Sequence, residues 1–129
     1  MILVDSSVWI DFFNGVPSRE VTTLDYLLST DLICIGDLIL AEVLQGFRYD
    51  KDYRTARELL VELPVYQIMT PELALLGADN YRSLRKRGST VRRSVDNWIA
   101  TFCVYHQLPL LFSDRDFIPY VEHLGLARP

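Results

Sequence analysis

Cysteine and histidine are scarce in this chain, with two of each in 129 residues. Cys34 and Cys103 lie far apart among apolar neighbours, and neither a CxxC pair nor a His/Cys cluster occurs. That excludes the usual zinc frameworks and reads as two buried reduced thiols, compatible with a cytosolic setting. No run of about 18 apolar residues is present to span a bilayer. The opening Met1-Ile2-Leu3-Val4-Asp5 carries no basic leader and no small-residue cleavage site, so no signal peptide is expected and a cytoplasmic location is. Internal repeats, low-complexity tracts and linker-like stretches are also missing, which leaves residues 1–129 as a single domain.

What is there suits a globular enzyme-sized unit. Hydrophobic residues make up 50% and charged residues 23%, enough to bury a core without disulfides or a structural metal. The formal net charge of −4 argues against a nucleic-acid partner, but the charge is uneven. Arg82, Arg85, Lys86, Arg87, Arg92 and Arg93 concentrate cations in residues 82–93, and such a stretch keeps a polyanion open as a partner. A solvated helix end is the plainer meaning of the same run.

The hydrophobic pattern alternates short apolar strands with amphipathic helices. Residues 2–4 read as a strand, followed by a short helix capped by Ser6 or Ser7. A helix over 19–29 and a strand over 32–35 come next, the strand ending at Gly36-Asp37. Helices over 38–46 and 52–62 precede a third strand at Val65–Met69. Thr70-Pro71-Glu72 starts a helix that runs to Arg87. A helix over about 95–106 and a strand at Leu110–Phe112 complete the pattern, with Gly125–Pro129 as a tail or a short last strand. All-apolar strands alternating with helices imply an α/β domain with a mainly parallel sheet.

Ligands of open parallel sheets bind beyond the carboxyl ends of the strands, so the acids falling there carry the functional question. Asp5 ends the first strand, and Asp114 and Asp116 follow the fourth. Asp96 lies near the start of a helix. Glu42 sits among Leu38, Ile39, Leu40, Ala41, Val43 and Leu44, so its helix is expected to be largely buried and its carboxylate partnered. Each acid alone has an ordinary reading: a helix cap for Asp5, a helix-start acid for Asp96, a loop cap for Asp114 or Asp116, an arginine partner for Glu42. Together, carboxylates from distant segments would repel one another without a cation between them, and all-oxygen ligation suits Mg²⁺ or Mn²⁺.

Four blocks in order carry a family resemblance: Leu3-Val4-Asp5-Ser6-Ser7-Val8-Trp9-Ile10, Ile39-Leu40-Ala41-Glu42-Val43-Leu44-Gln45-Gly46, Ser94-Val95-Asp96-Asn97-Trp98-Ile99-Ala100 and Leu111-Phe112-Ser113-Asp114-Arg115-Asp116-Phe117. Over essentially the whole chain the sequence resembles the PIN-domain ribonucleases of the VapC toxin type. The resemblance implies a three-layer α/β/α domain in which Asp5, Glu42, Asp96 and Asp114 form an acidic quartet around Mg²⁺ or Mn²⁺. Asp116 is a fifth candidate for the last role, and Ser6 corresponds to the hydroxyl residue that helps hold the site. Many such toxins carry Asn immediately before the third acid; here Val95 precedes Asp96 and Asn97 follows it. The resemblance further implies RNA as substrate, a homodimer, and a VapB-type antitoxin whose C-terminal segment covers the acidic groove with a basic side chain near the carboxylates.

Such a site would hydrolyse RNA phosphodiesters by water attack, leaving 5′-phosphate and 3′-hydroxyl ends. Asp5 and Asp96 are expected as direct ligands, Glu42 and Asp114 as completing the cluster, and Asp116 as orienting the water. His106 and His123 read as structural or surface groups rather than acid–base catalysts, and Ser6 and Ser7 lack a nucleophile-elbow setting. Trp9, Phe12, Phe13, Trp98 and Phe102 at helical spacing read as core or dimer interface. A receiver-like signalling module is disfavoured, because the third strand offers Met69-Thr70 where it needs an Asp and the last lysine is Lys86. A haloacid-dehalogenase-type phosphatase would need Asp where Ser7 stands. A catalytically silent PIN-like binding module would have no reason to keep all the acids.

Overall fold

The computed structural model describes residues 1–129 as a four-stranded, wholly parallel sheet flanked by helices. The elements run β1 (Ile2–Val4), α1 (Ser6–Phe13), α2 (Arg19–Leu27), β2 (Ile33–Gly36), α3 (Asp37–Gln45), α4 (Asp50–Leu60), β3 (Val65–Tyr66), α5 (Pro71–Lys86), α6 (Ser94–His106), β4 (Leu110–Leu111), a 3₁₀ turn (Arg115–Phe117) and α7 (Ile118–His123). The strand order is β3-β2-β1-β4. The chain therefore steps outward from β1 to β3 and then returns to the other side of β1. That reversal opens a crevice beyond the carboxyl ends of β1 and β4, the position where open α/β sheets bind ligands.

β1, β2 and β4 are buried under the helical layers, whereas both residues of the edge strand β3 are exposed. Leu3, Val4, Cys34, Ile35 and Leu110 are fully buried with Ile39, Ile68, Leu84 and Ile99 from the helical layers and their connections. One helical group joins α1 to α2 and α3, and α3 to α4; α5 packs along α6. Cys34 and Cys103 are both buried and unpaired, as expected. Trp9 and Phe102 belong to the core, Phe12 and Phe13 pack against it half-buried, and Trp98 is 37% exposed.

Four local expectations are corrected. The cap of α1 is not Ser6 or Ser7 but Asp5, as the ordinary reading of that residue had it: its side chain accepts from the Ser7 N–H. The third strand stops at Tyr66 instead of Met69, because the Ile68 N–H turns away from the ladder to donate to Asp37 Oδ1 at 3.0 Å. That crossing runs tight, since a Cβ on Gly36 would lie 2.5 Å from Ile68 Cδ1. The residue ending the strand is still no acid, so the case against a receiver module stands. The α3 helix is not largely buried: Ile39 and Val43 face the core, while Leu38, Leu40, Glu42 and Leu44 are half-buried and Ala41 is exposed. Finally, the 3₁₀ turn and α7 went unread, and the tail is no strand, although Ala127 accepts a hydrogen bond from the Leu110 N–H at 3.0 Å.

Candidate active site

Asp5 stands at the carboxyl end of β1, with its backbone N–H bonded to the Leu111 carbonyl of β4 at 2.9 Å. The residue is buried, at 3% relative exposure. Its Oδ2 accepts from Ser7 Oγ at 2.7 Å and the Ser7 N–H at 3.3 Å, leaving Oδ1 without a partner. Burial, the largest cause, raises the Asp5 pKa; the Ser7 hydrogen bonds oppose it and the Glu42 charge adds to it. The hydroxyl that holds Asp5 is thus that of Ser7, itself reached by Ser113 Oγ at 3.2 Å. Ser6, expected in that role, is buried and acts on Asp5 through its backbone.

Asp96 lies in the first turn of α6, at 2% exposure, and its Oδ2 also lacks a partner. Burial, again the largest cause, pushes its carboxyl up to about 6; Arg93 pulls down, while Asp5, Asp114 and Glu42 push up. One oxygen each from Asp96, Asp114 and Asp116 fall within 4.8 Å of one another. The last two are set by a single turn: Asp114 Oδ1 accepts from the Asp116 N–H at 2.9 Å, which directs both carboxylates from the 3₁₀ turn towards α6. The structure therefore brings together both acids of the fourth block. Glu42, on α3, pairs with Arg93.

The six cations of residues 82–93 divide into separate settings. Arg82, Lys86 and Arg87 line a surface concavity of about 420 Å³ on α5, together with Asp79 and Ser83. Arg85 lies over the Tyr81 ring, 5.7 Å from its centroid. Arg92 Nε donates to Asp116 Oδ2 at 3.0 Å, and Arg93 pairs with Glu42, so these two belong to the acidic cluster.

Asn97, next to Asp96, is buried and serves the scaffold. Its Nδ2 donates to the Gly77 carbonyl at 2.9 Å, and its Oδ1 accepts from the buried Tyr120 hydroxyl. Tyr120 thereby ties α7, and the acid-bearing turn before it, to α6 and α5. His106 is exposed and lies tilted against Phe102, 4.4 Å between centroids, at the far end of α6 from Asp96. A larger pocket of about 560 Å³ lies at that far end, lined by Tyr66, Glu72, Phe102, Tyr105, His106 and others. It holds no acid cluster.

The donor set fits a hard divalent cation. The converging oxygens of Asp96, Asp114 and Asp116 are all carboxylate, Asp96 Oδ2 is buried and unpartnered, and like charges this close disfavour joint ionisation without a counter-charge. Asp5, whose Oδ1 is also unpartnered, and Glu42 are not among the three that meet. Sequence reasoning found every one of these acids; it missed Ser7, Ser113 and Tyr120. Ser7 was readable, because an Asp helix cap accepts from the residue two positions on.

Comparison with known proteins agrees. The PIN domain family matches residues 2–121. VapC ribonuclease Mb1587 of Mycobacterium bovis is 30% identical over 119 residues, 91% of this chain and 89% of that protein, and ribonuclease VapC11 of Mycobacterium tuberculosis gives the same values. By structure, VapBC2 from Rickettsia felis bound to a promoter DNA fragment has a TM-score of 0.76 at 16% identity, covering 100% of this chain and 98% of that one. FitAcB from Neisseria gonorrhoeae reaches 0.71 at 20% identity, over 99% and 96% of the two chains. At such identities the structures speak for the fold alone. The profile and the sequence relatives go further: this chain belongs to the PIN-domain family and groups there with the VapC ribonucleases.

Proposed function

We propose that this protein is a metal-dependent endoribonuclease, the toxin of a toxin–antitoxin pair, and that it cuts RNA at the Asp5, Glu42, Asp96, Asp114 and Asp116 cluster. The observation that carries the reading is the meeting of Asp96, Asp114 and Asp116 within 4.8 Å, with Asp96 Oδ2 buried and unpartnered. The names of the VapC relatives support RNA as substrate, and those of the VapBC2 and FitAcB structures support an antitoxin partner.

A bound Mg²⁺ or Mn²⁺ would relieve charge on the phosphate and lower the pKa of the attacking water. The chain's own residues do the rest. Asp5 and Asp96 offer their orphaned oxygens as ligands, with Ser7 fixing the Asp5 rotamer. Glu42 and Asp114 complete the cluster. Asp116 orients the attacking water. Arg82, Arg85, Lys86, Arg87, Arg92 and Arg93 form the basic flank that takes RNA phosphates, with Arg92 and Arg93 nearest the acids. The reading also takes residues 1–129 as one working domain, paired as a homodimer, in the cytoplasm. No helix is long and apolar enough to cross a membrane.

The test is cleavage of end-labelled total RNA by the purified, antitoxin-free protein in Mn²⁺ or Mg²⁺, beside an EDTA lane and an Asp96→Asn protein. Cutting that needs the metal and loses at least about a hundredfold on substitution is expected, as for loss of a metal ligand. Equal cutting by the variant would remove the cluster from the reaction.

A further inference from the structure

Arg92 and Arg93 are the cations paired with the acids of the site, and they come from adjacent positions just before α6. The backbone at Arg93 is extended, φ −118° and ψ 126°. Extended backbone sends successive side chains to opposite sides. That is how neighbours reach different elements: Arg92 to Asp116 of the 3₁₀ turn, Arg93 to Glu42 of α3. Arg93 also acts electrostatically on Asp96 and Asp5. The two guanidinium groups therefore spread over the whole cluster.

The pairs are lopsided. The Arg92 and Arg93 side chains are 77% and 48% exposed, while Asp116 and Glu42 are 17% and 26% exposed. The acids are the more buried members of each pair and the cations the more exposed. Exposed pairs of this kind shift an equilibrium by only about two- to fivefold each, so a divalent ion arriving among the same carboxylates displaces them. A freed guanidinium at that rim faces the place where a phosphate must arrive. Its planar fork fits phosphate as it fits carboxylate.

We propose that Arg92 and Arg93 are resident counter-ions of the acidic cluster, which the divalent ion displaces and which then take a phosphate of the incoming RNA. The inference rests on the metal-dependent nuclease reading and adds an exchange of partners by two named side chains. Metal loading and RNA capture become coupled: the charge that stabilises the empty cluster becomes the charge that receives substrate.

Calorimetric titration of the full-length protein with Mn²⁺ tests it, comparing wild type, the Arg92→Gln/Arg93→Gln double variant and Arg115→Gln. Arg115 is exposed, stands between Asp114 and Asp116 in the chain and pairs with no acid, so it controls for a simple loss of positive charge. The double variant should bind Mn²⁺ about three- to tenfold tighter, and Arg115→Gln should change it by less than about twofold. In EDTA the double variant should melt below wild type, and Mn²⁺ should raise its melting temperature by the larger amount. Its KM for RNA should rise about tenfold. Mn²⁺ affinity unchanged or weakened in the double variant would overturn the exchange, as would an equal gain in Arg115→Gln or an unchanged KM. If folded wild type binds no Mn²⁺, the nuclease reading falls with it; if wild type binds and the double variant matches it, this inference falls alone. Should the double variant fail to fold, the single variants are read by the same criteria.

Discussion

Asp96 is the residue at which folding and function pull hardest against each other. Its pKa is raised from 3.8 to about 6, chiefly by burial. Between those values the folded state binds more protons than the unfolded one. Stability of the metal-free protein therefore falls as pH rises through that window, and the cost is complete above about 6. Asp96→Asn removes that cost: without metal at pH 7.5 the variant should be more stable than wild type by about 1–2 kcal/mol, with the gain gone near pH 4. Calorimetric unfolding in EDTA at the two pH values checks this, and a pH-independent difference would contradict it. The same substitution should slow cutting at least about a hundredfold. Ser7 gives a second residue-level test. Loss of its bond to Asp5 should weaken Mn²⁺ binding about tenfold in Ser7→Ala, as outer-sphere partners typically do, whereas Ser6→Ala should change it little. The acids were legible in the sequence because a carboxylate at a strand end or in an apolar helix is chemically conspicuous. Ser7 was missed although a cap at Asp5 points to it: two adjacent serines follow Asp5, and only that helix-cap geometry separates their roles.

At the scale of elements, the site depends on holding the 3₁₀ turn against α6. Tyr120 supplies that strut, its hydroxyl donating to Asn97, whose amide is fixed on Gly77. Tyr120→Phe leaves a buried Asn97 oxygen without its donor, and should destabilise the fold by about 1–3 kcal/mol in urea titrations. A loss below about 0.5 kcal/mol would show that the strut is dispensable. The pattern of strands and helices was readable because the apolar segments are short, continuous and separated by turn residues. The departures have local causes that propensity does not see: Asp37 takes the Ile68 N–H out of the ladder and shortens β3. At α7 only six residues follow a turn and contain Pro119, too few to show a helical period. The expectation of a buried α3 failed because apolar residues all round it are not all covered; half-buried Leu38, Leu40 and Leu44 mimic a core helix in the sequence.

Over the whole molecule, a chain of net charge −4 separates an acidic crevice from a basic flank on α5. The basic concavity of Arg82, Lys86 and Arg87 should carry phosphate affinity independently of the metal. Replacing all three by Gln should raise KM for RNA about tenfold and flatten its salt dependence, with Mn²⁺ affinity unchanged. Identical salt slopes for variant and wild type would remove α5 from the RNA path. With a divalent ion bound, the five carboxylates should direct water onto an RNA phosphodiester. Typing the ends left on a defined RNA after Mn²⁺-dependent cutting tests it most directly. Water attack predicts 5′-phosphate and 3′-hydroxyl termini; 2′,3′-cyclic phosphate ends would mean that the ribose hydroxyl is the nucleophile, and would contradict the account.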